Sequence, residues 1–220
     1  VERWSEPDAG IWEVRGQQRH FVHSKVMCWV ALDCGIRLAT DHGLDHVDVE
    51  AWSACREAIR AAIESDGMDP RNEYFVQHFG STEVDASLLQ LALVGFVEPT
   101  NPRMMKTVEV IQRQLAGPEG LLRRYRSNDT ADTVDGSKEG YFLLCTCWLV
   151  QVLALQGRLD EARELFDRVV AVGNDVGLYA EEYQPSSREF LGNFPQAFTH
   201  LGLIAAANRI AACTAESAAD

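Results

Sequence analysis

Tyr141-Phe142-Leu143-Leu144-Cys145-Thr146-Cys147-Trp148-Leu149-Val150-Gln151-Val152-Leu153-Ala154-Leu155-Gln156 is apolar nearly all round. Gly157 separates it from Arg158-Leu159-Asp160-Glu161-Ala162-Arg163-Glu164-Leu165-Phe166-Asp167-Arg168-Val169, which is apolar on one stripe only. In that second segment Leu159, Ala162, Leu165, Phe166 and Val169 share one helical face, while Asp160, Glu161, Arg163, Glu164 and Asp167 face water. A helix without a polar face has to be covered on most sides, whereas a striped helix lies between core and solvent.

The same contrast runs outward along the chain. Apolar spacing predicts helices at 23–39, 48–65, 84–97, 101–116, 139–156, 158–172 and 193–213. Helices 48–65, 101–116 and 158–172 are amphipathic, and the four between and around them are apolar on most faces. The order buried, half buried, buried, half buried describes inner helices, each followed by an outer helix that returns the chain. The predicted fold class is all-α, an α/α barrel. A helix-pair solenoid also alternates, but at a fixed period that the unequal loops here do not keep.

In such a barrel the inner helices run parallel, so the loops leading into them share one rim. Those loops, 1–22, 66–83, 117–138 and 173–192, are long for a helical domain, and long loops tend to carry function. The return loops, such as 98–100 and Gly157, are short.

Composition narrows the function. The formal net charge of −13 argues against a nucleic-acid surface, which needs clustered Lys and Arg. No basic amphipathic stretch points to membrane docking. The cysteines at 28, 34, 55, 145, 147 and 213 lack metal-site spacing and read as buried, reduced thiols, which suggests a reducing compartment, the cytoplasm.

The first rim loop carries Gly10-Ile11-Trp12-Glu13-Val14-Arg15-Gly16. A carboxylic acid beside an indole suits a general acid, because an apolar neighbour disfavours the carboxylate. The same residues also read as a surface Glu beside a core Trp. The last rim loop carries Gly177-Leu178-Tyr179-Ala180-Glu181-Glu182-Tyr183. Glycoside hydrolysis by direct attack of water needs two carboxyl groups about 6.5–9.5 Å apart. One acid on each of two rim loops fits that need. Adjacent carboxylates point apart, so one of Glu181 and Glu182 is expected to face the cleft, and a solvated acidic pair is the plainer alternative. In loop 117–138, within Leu121-Leu122-Arg123-Arg124-Tyr125-Arg126-Ser127-Asn128-Asp129, Arg124 is a candidate for binding sugar hydroxyls and Tyr125 for stacking. Trp4, His23, Lys25, His78 and Glu139 also fall on the rim, where structural roles are expected.

At these residues the chain resembles glycoside hydrolase family 15, which holds glucoamylases, glucodextranases and a group of bacterial trehalases. The resemblance runs through Gly10–Gly16, His23-Ser24-Lys25-Val26-Met27-Cys28-Trp29, Glu139-Gly140-Tyr141-Phe142, Asn174–Tyr183 and Gly192-Asn193-Phe194-Pro195-Gln196-Ala197-Phe198-Thr199-His200-Leu201. It implies that residues 1–220 form roughly the second half of an (α/α)6-type barrel, without the preceding helices and the N-terminal β-sandwich of prokaryotic relatives. It further implies Glu13 as general acid and Glu181 as general base. By the same resemblance Trp12 and Arg124 would hold the glucose at the cleaved end; Tyr125 and Glu182 beside them are further substrate-binding candidates. The implied reaction inverts the anomeric centre of an α-glucoside and releases β-glucose, with no metal or organic cofactor. Gln184 where many relatives carry Asp, and Cys34-Gly35 in place of Arg-Ala, are departures away from the carboxylates.

Maltooligosaccharides and trehalose present the same terminal α-glucose, and the expectation leans to oligosaccharides. Half a barrel leaves apolar helix flanks uncovered, so weak activity and self-association are expected of the isolated chain. Two other readings stay open. One is a truncated, inactive relative. The other is a non-enzymatic interaction module, because Gly157–Phe166 looks like half of a tetratricopeptide repeat.

Overall fold

The computed structural model describes residues 2–13, 16–71, 73–117, 119–126 and 139–217. Val14 and Arg15 of the first loop, and Ser127, Asn128 and Asp129 of the third, lie outside the described residues.

The helices run α1 (Val22–His42), α2 (Val49–Asp66), α3 (Gln90–Leu93) entered through a 3-10 turn (Ala86–Leu89), α4 (Pro102–Leu115), α5 (Leu143–Leu155), α6 (Leu159–Val172) and α7 (Ala197–Ser217). Local chemistry explains their ends. Asp48 caps α2 by accepting from Ala51 N–H, and Asn101 caps α4 by accepting from Arg103 N–H, with Pro102 at the first helical position. Gly43 closes α1 in the left-handed conformation.

Each inner helix touches the next: α1 meets α3, α3 meets α5, and α5 meets α7. Outside this arc α2 packs on α1, and α6 packs on α5 and α7. This is the α/α-barrel arrangement expected from the alternation, and Gly157 lies in the short return from α5 to α6, as expected.

Three differences from the expected helices share one cause. Segment 84–97 contains only eight helical residues, Ala86–Leu93. Residues 141–142 form strand β1 (Tyr141–Phe142), which pairs with β2 (Glu182–Gln184), and β2 pairs with β3 (Glu189–Leu191), all antiparallel. Residues 193–196 precede α7. In each case a backbone N–H bonds to a rim loop: Ala86 N–H donates to Arg124 O in the third loop, Phe142 N–H to Leu122 O in the loop that leads into α5, and Gln196 N–H to Tyr179 O in the loop that leads into α7. Those contacts replace the helical ladder that local spacing predicts.

Burial is uneven among the inner helices. In α5 ten residues, from Leu143 to Ala154, are buried. In α7 only Thr199, Gly202 and Ala206 are, and Phe198, Leu201 and Ile204 stand 63%, 61% and 58% exposed. Met27 and Leu38 of α1 are also exposed. Cover is therefore complete for α5, in the middle of the arc, and incomplete for the two end helices, which have an inner neighbour on one side only, as expected of half a barrel. The cysteines are free as expected, but only Cys55, Cys145 and Cys147 are buried; Cys28 and Cys213 are half-buried and Cys34 is exposed.

Candidate active site

The loops leading into the inner helices interlock in sequence around one rim. Val22 N–H donates to Gln77 O and Phe79 N–H to His20 O, joining the first loop to the second. Asp85 forms a bridge with Tyr125, joining the second to the third, and β1–β2 joins the third to the fourth.

Glu13 stands on a turn closed by its own N–H donating to Gly10 O at 3.2 Å. The turn begins at Gly10, at φ +70°, whose N–H is held by Asp8 Oδ1 at 2.7 Å. It ends with Glu13 at φ 50°, a left-handed conformation that side chains other than glycine seldom adopt and that clusters at functional sites. Glu13 is exposed, and its neighbour Trp12 is directed inward. The indole ring meets Phe142 edge-on at 5.9 Å, lies 6.1 Å from Trp148 and 6.5 Å from Tyr125, and donates Nε1–H to Asp85 Oδ2 at 2.9 Å.

Arg124 lies against the same aromatic group, with its guanidinium 5.8 Å from the Trp12 ring, 5.4 Å from Tyr125 and 5.2 Å from Phe142. Its Nε donates to Glu139, and its Nη2 is 3.9 Å from Glu182. Burial alone would weaken the Arg124 cation, but the Glu139 carboxylate overcomes this and raises its pKa. Glu139, expected to be structural, is 12% exposed and is the direct partner of Arg124.

The adjacent carboxylates diverge as expected. Glu182 turns toward Gly140, whose N–H it accepts at 2.9 Å, and burial pushes its carboxyl above the usual range. Glu181 turns the other way and accepts from Asn193 N–H and Nδ2–H, both at 3.1 Å. Thr199 in α7 bonds the Ala180 carbonyl just before it, at 2.9 Å.

Of the remaining rim residues, Lys25 is 2% exposed, with its ammonium on Glu6 O and 3.6 Å from Asp8. His23, Lys25 and Trp4 line a 540 Å³ cavity between the first loop and α1. His78 meets Arg19 at 2.6 Å. Sequence reasoning missed Asp85, Asn193 and Gln77, because none is distinctive by type. The one available signal was Asp85-Ala86-Ser87 ahead of an apolar run, a helix-capping pattern. Among the described residues no group of three or more His, Cys, Asp or Glu is placed to hold a metal ion. None of the described helices is long and apolar enough to cross a membrane.

The arc of paired helices is the glucoamylase fold: the glucoamylase of Saccharomycopsis fibuligera superposes with a TM-score of 0.75 at 13% identity, over 96% of this chain and 59% of that one. Sequence carries the relationship further. The chain matches Glycosyl hydrolases family 15 over residues 1–208 and belongs to that family. It is 45% identical over 204 residues to the trehalase of Mycobacterium tuberculosis, covering 93% of this chain and 29% of that protein. It is 39% identical over 207 residues to the trehalase of Thermoplasma acidophilum, covering 94% of this chain and 35% of that protein. The chain thus spans about a third of the length of the curated relatives it matches.

Proposed function

We propose that these residues supply the acid and base of an inverting α-glucoside hydrolase, with trehalose as the substrate. One observation carries this best: the two carboxylate-bearing loops converge on Phe142. Its ring packs on Trp12, next to Glu13, and its backbone stands opposite Glu182, next to Glu181, in the strand register. Trehalases among the family relatives favour trehalose over the maltooligosaccharides toward which the residues alone leaned.

In this reaction the Glu13 carboxyl gives its proton to the glycosidic oxygen as the bond from that oxygen to C1 breaks. The Glu181 carboxylate takes a proton from a water molecule, whose oxygen forms the new bond to C1 from the opposite face. The products are one glucose of inverted, β configuration and, from trehalose, a second glucose that leaves with its α configuration unchanged. Proton exchange with solvent returns both carboxyls to their starting states. Trp12 and Tyr125 offer ring faces to the terminal glucose. Arg124, with Glu139 and Glu182 offsetting its charge, offers guanidinium N–H groups to the hydroxyls.

Proton NMR of trehalose and of maltotriose, incubated with the natural gene product carrying this chain, tests the proposal. Inverting cleavage of trehalose yields α- and β-glucose in equal amounts at early times, and Glu13→Gln and Glu181→Gln each abolish it. Early α-glucose alone from trehalose would refute inversion. Full activity in either variant would refute the assignment of that residue. Silence on both sugars from the natural product would favour an inactive relative.

A further inference from the structure

We infer that Asp85 is the positioning residue of the acid loop: through Trp12 it holds Glu13 in the orientation from which it donates its proton. The inference rests on the reading of Glu13 as general acid.

Asp85 is 1% exposed, so it touches no substrate itself. Its two carboxyl oxygens do different things. Oδ1 accepts from Ser87 N–H at 3.1 Å and Ser87 Oγ–H at 2.6 Å, capping the 3-10 turn that leads into α3. Oδ2 accepts from Trp12 Nε1–H at 2.9 Å, with Gln77 Nε2 at 3.4 Å. A cap needs only one oxygen. The second reaches a residue 73 positions away in the chain and fixes the direction of its indole.

All of these partners are donors, and an ionised carboxylate is the side chain that accepts on both oxygens. Burial raises the pKa of the Asp85 carboxyl above its ordinary value, and the bonds from Ser87, Trp12 and Gln77 offset this only in part. The turn from Gly10 to Glu13 is then pinned at both ends. Asp8 and the Phe21 ring, 3.0 Å from where a Gly10 Cβ would lie, fix its start. Asp85 fixes Trp12 beside its end. Glu13 keeps its left-handed backbone only while its surroundings demand it, because that conformation costs of the order of 1 kcal/mol. Releasing the indole removes the demand at the residue next to Glu13.

Asp85→Asn tests this in the natural gene product. An amide has one acceptor oxygen, so it keeps either Ser87 or Trp12 and turns N–H groups against the other. The probes are trehalose, whose departing sugar oxygen needs a proton, and α-glucosyl fluoride, whose fluoride leaves with little help. With Asp85→Asn, kcat on trehalose should fall about tenfold to hundredfold, the range for a misplaced reacting group, while kcat on the fluoride changes at most a few-fold and any rise in KM from the Trp12 ring is shared by both substrates. Trp12→Phe, which keeps a ring and removes the N–H, should give the same preference for the fluoride, and the double variant should add little. It also carries the test if circular dichroism shows Asp85→Asn to be unfolded. Equal losses on both substrates in the folded variants, or no loss on either, overturn the inference. Glu13→Gln separates the two levels. If it too spares the fluoride, the acid assignment stands and the Asp85 result is read on its own. If it shows no leaving-group preference, the acid assignment fails and the inference falls with it.

Discussion

Glu181 and Asn193 hold each other from both sides. Glu181 N–H donates to Asn193 O at 2.9 Å, and Asn193 returns its own N–H and its Nδ2–H to Glu181 Oε2. A carboxylate that accepts two N–H groups on one oxygen is fixed in direction and leaves its other oxygen for a water molecule. Asn193→Asp replaces one donor by a second carboxylate. Like charges raise each other's pKa, so the acid limb of the kcat/KM profile should move to higher pH. Asn193→Ala should lower kcat about tenfold without moving that limb upward to the same degree, which initial rates between pH 4 and 8 would check.

The barrel was legible in the sequence where helix periodicity and helix burial agree. Helices 48–65, 101–116 and 158–172 are found at Val49–Asp66, Pro102–Leu115 and Leu159–Val172, since striped helices are defined by their own residues. The rim was legible less well. Phe142, Ala86 and Gln196 bond to Leu122, Arg124 and Tyr179, all well beyond the reach of a helical turn, and no local pattern announces such a partner. For the same reason Glu13 and Glu181 stood out by type and neighbours, whereas Asp85, bonded to Trp12 beside Glu13, and Asn193, bonded to Glu181, did not. The exposed face of α7 follows from the half-barrel expected of the chain, although its apolar pattern alone tells that it needs cover and not whether a neighbour is there.

Where α7 crosses α5, Gly202 is a spacer. A Cβ there would stand 2.7 Å from Leu144 Cδ1 and 3.1 Å from Cys147 Cβ. Alanine gains about 1 kcal/mol of helix propensity over glycine. Overpacking costs about 1–3 kcal/mol, and the Cys147 Cβ, one bond from the backbone, cannot swing aside as Leu144 can. The clash should win, so Gly202→Ala is expected to lower the unfolding free energy by roughly 1 kcal/mol. Moving α7 also pulls Thr199 from the Ala180 carbonyl beside Glu181, so activity should fall with stability. A melt and a rate measured on one preparation would test both; a stabilised variant would contradict the packing argument.

His23 gives stability a pH dependence of known sign. Burial lowers its pKa to about 4, and the Asp8 carboxylate opposes this only in part. Between that value and the ordinary 6.5 the unfolded chain binds a proton that the folded chain does not. The contribution is therefore fully present above pH 6.5 and is lost as pH falls toward 4, by roughly 3 kcal/mol over the window. His23→Gln should flatten this part of the profile. Denaturant unfolding of both proteins at pH 7 and pH 4.5 measures the difference, and parallel losses in the two would mean that His23 is not the group responsible.

Arg124 joins binding to stability, and two substitutions separate the roles. Removing its cation leaves Glu139 and Glu182, 12% and 14% exposed, with no positive partner among the described residues. A fully buried pair broken in this way costs 3–5 kcal/mol; with Arg124 itself 25% exposed, Arg124→Ala should cost about 2 kcal/mol. Arg124→Lys keeps the charge, so most of that stability should remain. It loses the planar fork that lies over Trp12, Tyr125 and Phe142 while presenting several N–H groups at once. Charge-assisted hydrogen bonds to sugar hydroxyls are worth about 1.5–3 kcal/mol, so kcat/KM for trehalose should fall roughly tenfold to hundredfold in the Lys variant although its melting temperature stays near that of the parent. If activity and melting temperature instead fall together in Arg124→Lys, Arg124 serves the rim's architecture and not the substrate.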